Sequence, residues 1–277
     1  MKTVFRTLLK VPLVFLGCFA RSRRPGIFFL IYHRVGNTSS FEMDIPLALF
    51  RKQMEHLAAT GRVISYDDAL TRLLSGEALE HNLYVITFDD GFEDFYHKAF
   101  PLLRAFGLPA ILFVNTGFVE EGIPYPLHIR RRRQERPVTW DMLNEMFASG
   151  LVAIGAHTHA HRELPGDSDD EIRKDLLLSR ELFMKRMGFA PRHFAYPRAL
   201  WSERAETIVS EQFASAVVGG GTKASPAGFS PLRIPRMPIR RSDGWLFFLA
   251  KIKGYLSTEE RFYEILRKLR RSRTAVS

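Results

Sequence analysis

From Gly26 onward, apolar β-rich runs alternate with segments of helical periodicity, and that alternation limits the fold more than any single residue does. Strand-like runs fall at 27–32, 83–88, 110–114 and 152–156, with weaker ones at 193–196, 214–218 and 233–238. Helical patterns fall between them at 46–59, 69–74, 95–106, 139–149 and 169–187, and two more close the chain at 245–256 and 258–271. In the first of these Leu47, Phe50, Met54 and Leu57 share one face. Thr139 reads as a helix cap and Gly150 as a helix stop. Strands and helices taking turns around one core predict a single parallel α/β barrel, which ordinarily takes ~200–250 residues. The expected organisation is a basic, apolar segment at 1–25, one domain at 26–245 and a basic helical extension at 246–277.

Charge is placed as unevenly as hydrophobicity is placed regularly. The net charge of +10 comes from the two ends, +6 from residues 1–24 and +4 from residues 262–277, so the body is neutral. A neutral body with basic ends suits an anionic membrane surface and argues against nucleic acid as a partner. The tetrad Arg130 to Arg133 reads as a solvated run on a loop. The ten apolar residues at 11–20 are too few to span a bilayer, which takes ~20. Lys2, Arg6 and Lys10 ahead of them give a signal-peptide look, but Pro12 interrupts the run and Arg21, Arg23 and Arg24 follow it at once. The expectation is an amphipathic anchor on the cytoplasmic face of a membrane, with export as the competing reading. Cys18 is the single cysteine, which excludes a disulfide framework and any Cys-rich zinc or iron–sulfur site.

Thr87-Phe88-Asp89-Asp90-Gly91 stands where an apolar strand ends, the place where parallel α/β folds put their active sites. Asp67-Asp68 and Asp169-Asp170 serve as controls, since both open helices, where capping accounts for them. Asp89-Asp90 has no such explanation: two carboxylates at the tip of a buried strand repel each other and need a cation or a proton. His157-Thr158-His159-Ala160-His161 follows the run at 152–156. His157 and His161, four apart, can point the same way on one helical turn, while His159 lies on the other side. Two histidines and one carboxylate make a metal triad with positions open for water and substrate, and the second aspartate remains available as a base.

TFDDG followed by HTHAH resembles the polysaccharide deacetylase family with the NodB homology domain, carbohydrate esterase family 4. LIYHRV at 30–35, FRKQMEHL at 50–57, VTWDML at 138–143, SGLVAIGAHTHAH at 149–161, FAYP at 194–197 and LRIPRMPI at 232–239 carry the resemblance over about 26–245. It implies a distorted (β/α) barrel, usually of seven parallel strands, and a divalent metal, zinc ahead of cobalt or nickel. It also implies hydrolysis of an N-acyl group, most often N-acetyl, from an amino sugar in a carbohydrate polymer or oligomer. By motif, Asp90, His157 and His161 resemble the metal ligands and Asp89 the general base. In Tyr196-Pro197-Arg198, the backbone N–H of Arg198 resembles the oxyanion donor, although the family often has an aromatic there. Thr158, Tyr196, Pro197 and Arg236 are expected to touch substrate or to support these groups. The family's last motif usually supplies a histidine that protonates the leaving amine, and no histidine follows His193 here. Either Asp89 returns its proton, or His33 at the end of the first strand acts as the acid rather than as a core histidine. Trp140, Trp201 and Trp245 could line a sugar groove or fill the core. Two other functions are weighed: a deacylase or deformylase of a lipid-linked amino sugar, and a non-catalytic sugar-binding module. The intact set Asp89, Asp90, His157 and His161 argues against the second.

Overall fold

The computed structural model describes residues 24–39, 41–122 and 135–256. All but the last two residues of the segment expected at 1–25, the tetrad Arg130 to Arg133 and the helix expected at 258–271 lie outside the described residues.

Seven parallel strands close into one barrel in chain order: β1 (Ile27–Tyr32), β2 (Leu83–Asp90), β3 (Ala110–Val114), β4 (Val152–Ala156), β5 (His193–Ala195), β6 (Ser215–Gly219) and β7 (Ile234–Pro238). The ring shuts where β1 pairs with both β2 and β7, setting Phe29 opposite Val85 on one side and Arg236 on the other. This is the expected seven-stranded parallel barrel.

The period-two alternation of the strands builds two apolar layers. Ile27, Phe29, Val85, Ile111, Phe113 and Val217 fill the lumen, while Phe28, Leu30, Ile86, Phe88 and Leu112 pack outward under the helices. Those helices are α1 (Leu47–Thr60), α2 (Tyr66–Ser75), α3 (Phe100–Phe106), α4 (Thr116–Glu121), α5 (Trp140–Ala148), α6 (Asp169–Met187), α7 (Glu203–Ser210) and α8 (Gly244–Ile252). The lumen is stopped at its lower end by Tyr66, Leu70 and Leu73 of α2. There the Tyr66 hydroxyl lies 2.8 Å from Ser215 Oγ, and His193 bridges Ser215 (2.9 Å) and Asp67 (3.0 Å). The lower end is thereby plugged and hydrogen-bonded, and the strand C-termini are left for the site.

Several local expectations shift. Leu47 is 40% exposed because it opens α1, while Gln53 is buried on that helix and accepts a hydrogen bond from the Tyr32 hydroxyl at 3.1 Å. Ser65 and Ser168 are the caps of α2 and α6, and the Asp pairs sit in the first turns, where they complement the helix dipole. The pattern at 95–106 begins as a π-helical turn over Phe95–Ala99, closed by the Phe100 N–H on the Phe95 carbonyl, before α3 starts. Pro101 follows at once and has no N–H to carry the ladder on. The short α4 answers to none of the helical patterns in the sequence. No helix among the described residues is long and apolar enough to cross a membrane.

Close packing inside the barrel gives a direct test. A Cβ placed on Gly155 of β4 would lie 2.4 Å from the Phe113 ring, which is held in turn by Tyr66 at a centroid distance of 6.0 Å. Gly155→Ala should therefore cost about 1–3 kcal/mol of stability, read as a lower urea midpoint at unchanged slope.

Candidate active site

Asp89 points into the lumen, as Thr87 and Val85 before it do on the same face of β2. Strict alternation would send Asp90 the other way. The chain instead leaves extended geometry at Asp90, where φ is 78°. That turn lets two consecutive carboxylates serve one end of the barrel, and both are 3% exposed.

Arg236 of β7, 1% exposed, meets Asp89 end-on: Nη1 donates to Oδ1 at 2.6 Å and Nη2 to Oδ2 at 2.7 Å. Nη1 also donates to Thr87 Oγ1 at 3.2 Å, and the guanidinium carbon lies 5.3 Å from the centre of the Phe113 ring. Burial pushes the Asp89 carboxyl up, but the charge and hydrogen bonds of Arg236, with the charge of His157 and His33, outweigh it and leave the pKa below the ordinary carboxylate range. Asp89 is therefore anionic throughout the neutral range.

Asp90, His157 and His161 form the second half of the site. Asp90 Oδ1 lies 3.4 Å from His157 Nε2 and 3.7 Å from His161 Nε2, and the three donor atoms fall within 4.8 Å of one another, all buried. Two donors each ~2.1 Å from one ion stand about 3.0–3.4 Å apart at octahedral to tetrahedral angles; the Asp90–His157 pair stands at that spacing and the His161 nitrogen slightly beyond it, a donor set that suits a cation. The nitrogens are presented correctly as well. His157 Nδ1 lies 2.7 Å from the Ala195 carbonyl, which can only accept, so Nδ1 carries a proton and Nε2 is the nitrogen turned toward Asp90. Burial raises the Asp90 pKa, yet the hydrogen bond from His157 and the charges of His33, His161 and His157 bring it down to about 2. For His161, burial and the nearby Arg198 charge outweigh Asp90 and lower its pKa to about 4.

The segment bearing the histidines is a loop, not the helical turn expected. Thr158 (φ 65°) and His161 (φ 50°) are left-handed, which no run of right-handed helix permits, and the two rings converge because of those turns. The loop is held through its backbone: the Thr158 and His159 carbonyls accept from the Thr116 and Gly117 N–H groups at 3.2 and 2.9 Å. The Thr158 hydroxyl is buried without a hydrogen bond. His159 faces away from the triad, with its ring nitrogens at 3.2 Å from Thr116 Oγ1 and Glu121 Oε1.

The remaining candidates are spread around this centre. His33 follows the end of β1, half-buried, with Nδ1 shielded and unbonded, and its charge acts on Asp89, Asp90 and His161. Pro197 is buried and leads into left-handed Arg198 (φ 54°, ψ 18°), whose side chain is ion-paired with Glu163. Tyr196 belongs to the outer apolar layer, edge-on to Phe194 at 5.2 Å, with an unbonded hydroxyl. Of the tryptophans, Trp140 packs on Phe183, Trp245 on Phe248, and Trp201 lies under Arg233 at 4.5 Å. Sequence reading missed Asp175 of α6, whose carboxylate takes the His159 and Ala160 N–H groups at 2.7 and 2.9 Å. Its trace in the sequence is an acid within the buried stripe Ile172, Leu176, Ser179 and Phe183. Also missed was the brace beside His33, where Arg34 pairs with Asp94 at 2.9 Å and Glu135 at 3.1 Å.

Known proteins resemble this chain in sequence and in shape. YxkH of Bacillus subtilis (strain 168), named among the polysaccharide deacetylases, is 25% identical over 199 residues, 72% of this chain and 65% of its own. The poly-β-1,6-N-acetyl-D-glucosamine N-deacetylase of Staphylococcus aureus (strain COL) is 25% identical over 183 residues, 63% of this chain and 60% of that one. The chain thus spans less than two thirds of either relative. The deacetylase PplD of Streptococcus pyogenes, solved in complex with acetate, superposes with a TM-score of 0.71 over 83% of this chain and 99% of that one, at 21% identity, which speaks to the fold. Residues 77–214, which carry β2 through β5 and with them Asp89, Asp90, His157 and His161, match the family model for polysaccharide deacetylase, and the chain belongs to that family.

Proposed function

We propose that this protein is a metal-dependent hydrolase that removes the acetyl group from N-acetylated amino sugars of a polysaccharide, releasing acetate and a free amine. The observation that carries the proposal is the placing of an anionic, arginine-clamped Asp89 beside the convergent donors of Asp90, His157 and His161 at the open end of the barrel. A base and a cation site side by side are what amide hydrolysis by water requires. The name of the staphylococcal relative supports N-acetylglucosamine polymers as the substrate class. The two-nitrogen, one-oxygen donor set supports zinc, with cobalt or nickel able to replace it.

Asp90 Oδ1 and the Nε2 atoms of His157 and His161 would hold the ion. When bound, it supplies Lewis acidity at the acyl carbonyl and lowers the pKa of adjacent water from 15.7 toward ~7. Asp89 takes the proton of the attacking water. Arg236 keeps that carboxylate ionised and fixes its plane with two hydrogen bonds, so the base needs no reorientation during the reaction. The backbone N–H of Arg198 stabilises the oxyanion, and the left-handed turn at Arg198 and Ala199 supports that role. His33 then gives a proton to the amine nitrogen as the carbon–nitrogen bond breaks. The basic, apolar ends of the chain support work at an anionic membrane surface, where a lipid-linked amino sugar becomes the alternative substrate.

The deciding experiment measures metal content and acetate release from an N-acetylglucosamine oligomer together. One metal per chain with acetate release, both lost in His157→Ala, is the expected result. Metal without acetate would redirect the search to lipid-linked or formylated sugars, and absence of metal binding would overturn the proposal. Asp89→Asn should reduce turnover to background while metal content is retained, and its melting temperature should also fall because Arg236 loses its counter-charge. For His33→Gln a drop in kcat of about 10²–10⁴-fold is expected at saturating oligomer. Unchanged kcat would assign proton return to Asp89.

A further inference from the structure

The loop between His157 and His161 is seated on two sides, against α4 and against α6. On one side its carbonyls dock on the first N–H groups of α4, so closely that a Cβ on Gly117 would lie 2.5 Å from the His159 oxygen. On the other side stands Asp175. Its Oδ2 accepts the His159 N–H at 2.7 Å and its Oδ1 accepts the Ala160 N–H at 2.9 Å, so one carboxylate spans two successive amides. The residue is 7% exposed and sits on the buried face of α6, with Ile172 and Leu176 beside it.

An acid in that position is unfavourable by itself. Burial raises the pKa of Asp175, against the pull of the two backbone hydrogen bonds and of the His159 and Arg162 charges. Packing accounts for none of this, since an apolar side chain of similar size would fill the stripe without the desolvation penalty. What the carboxylate does is hold the two peptide groups that lie between the left-handed residues Thr158 and His161. Those turns are sparsely populated by ordinary residues and persist only where neighbours enforce them.

We infer that Asp175 is a positioning residue for the cation site, pinning the His159 and Ala160 amides so that His157 and His161 face Asp90 before any ion arrives. The inference rests on the reading of Asp90, His157 and His161 as cation ligands. It assigns α6, which contributes no ligand, a direct part in setting their spacing.

The test is zinc affinity of the full chain, measured by titration against a competing chromophoric chelator. Asp175→Asn keeps the shape but sets an NH₂ group against one of the two amides, and zinc binding should weaken by about 10–100-fold, as when the outer support of a metal site is removed. Ser179→Ala is the control: Ser179 is buried one turn further along the same face and its hydroxyl makes no hydrogen bond, so affinity should stay at the wild-type value. Wild-type affinity in Asp175→Asn overturns the inference, and so does an equal loss in Ser179→Ala. Should Asp175→Asn fail to fold, amide exchange of the metal-free wild type decides. The His159 and Ala160 amides should be protected as strongly as those of β4, and exchange at the rate of an open peptide overturns the inference. A wild-type chain that binds no zinc would instead sink the cation-site reading, while amide protection would still report on Asp175.

Discussion

The upper end of this barrel depends on one buried ion pair. Asp89 and Arg236 come from the second and seventh strands, which flank β1 on opposite sides, so they meet only once the ring has closed. Taking both charges from water carries a penalty of several kcal/mol per ion, and only good geometry with further hydrogen bonds offsets it. Both conditions hold: the contact is bidentate, Thr87 takes an additional donor from Arg236, and Thr87 in turn donates to the Leu30 carbonyl at 3.1 Å. The pair gives the site a carboxylate that is both ionised and immobile. Because its partner sits on the last strand, the base is an attribute of the closed barrel and not of the TFDDG segment.

Backbone strain is concentrated at the same end. Among the described residues, the left-handed positions that are not glycine are Asn37, Asp90, Thr158, His161, Arg198 and Ala199. Asp90 and His161 are proposed ligands, Thr158 lies between the histidines, and Arg198 is the proposed oxyanion donor. Each such residue costs on the order of 1–3 kcal/mol, and three of them have a visible restraint nearby. Thr158 is docked on Thr116, His161 is preceded by the amides that Asp175 holds, and Arg198 is tied to Glu163. A plugged, hydrogen-bonded lower end and a packed lumen supply the stability that lets the upper end keep these conformations.

The regular elements were legible because each carries its own period. The runs at 110–114 and 152–156 and the helix at 169–187 agree to the residue with β3, β4 and α6, since burial on both faces and a capped, amphipathic stretch are local signals. The lapses fall where a local rule met a competing one. Leu47 keeps helical spacing yet faces solvent at the end of α1, and Pro101 lies just beyond a π-helical start. His157 and His161, spaced for a helical turn, are brought together by left-handed backbone that no periodicity encodes.

By itself the sequence determined the parallel barrel, the strand ends that bear the chemistry, and the residue types of the cation site. These follow from hydrophobic period and from the improbability of paired acids or clustered histidines at buried strand tips. Tertiary structure alone decided which partner ionises Asp89, how the histidine loop is held, and where His33 and Arg198 stand. Asp89 and Arg236 are 147 residues apart in the chain, and Asp175 reaches the His159 amide from 16 residues away. Side chains that far apart become neighbours only through barrel closure and helix packing, and no local pattern of residues can record a distance that the fold itself creates.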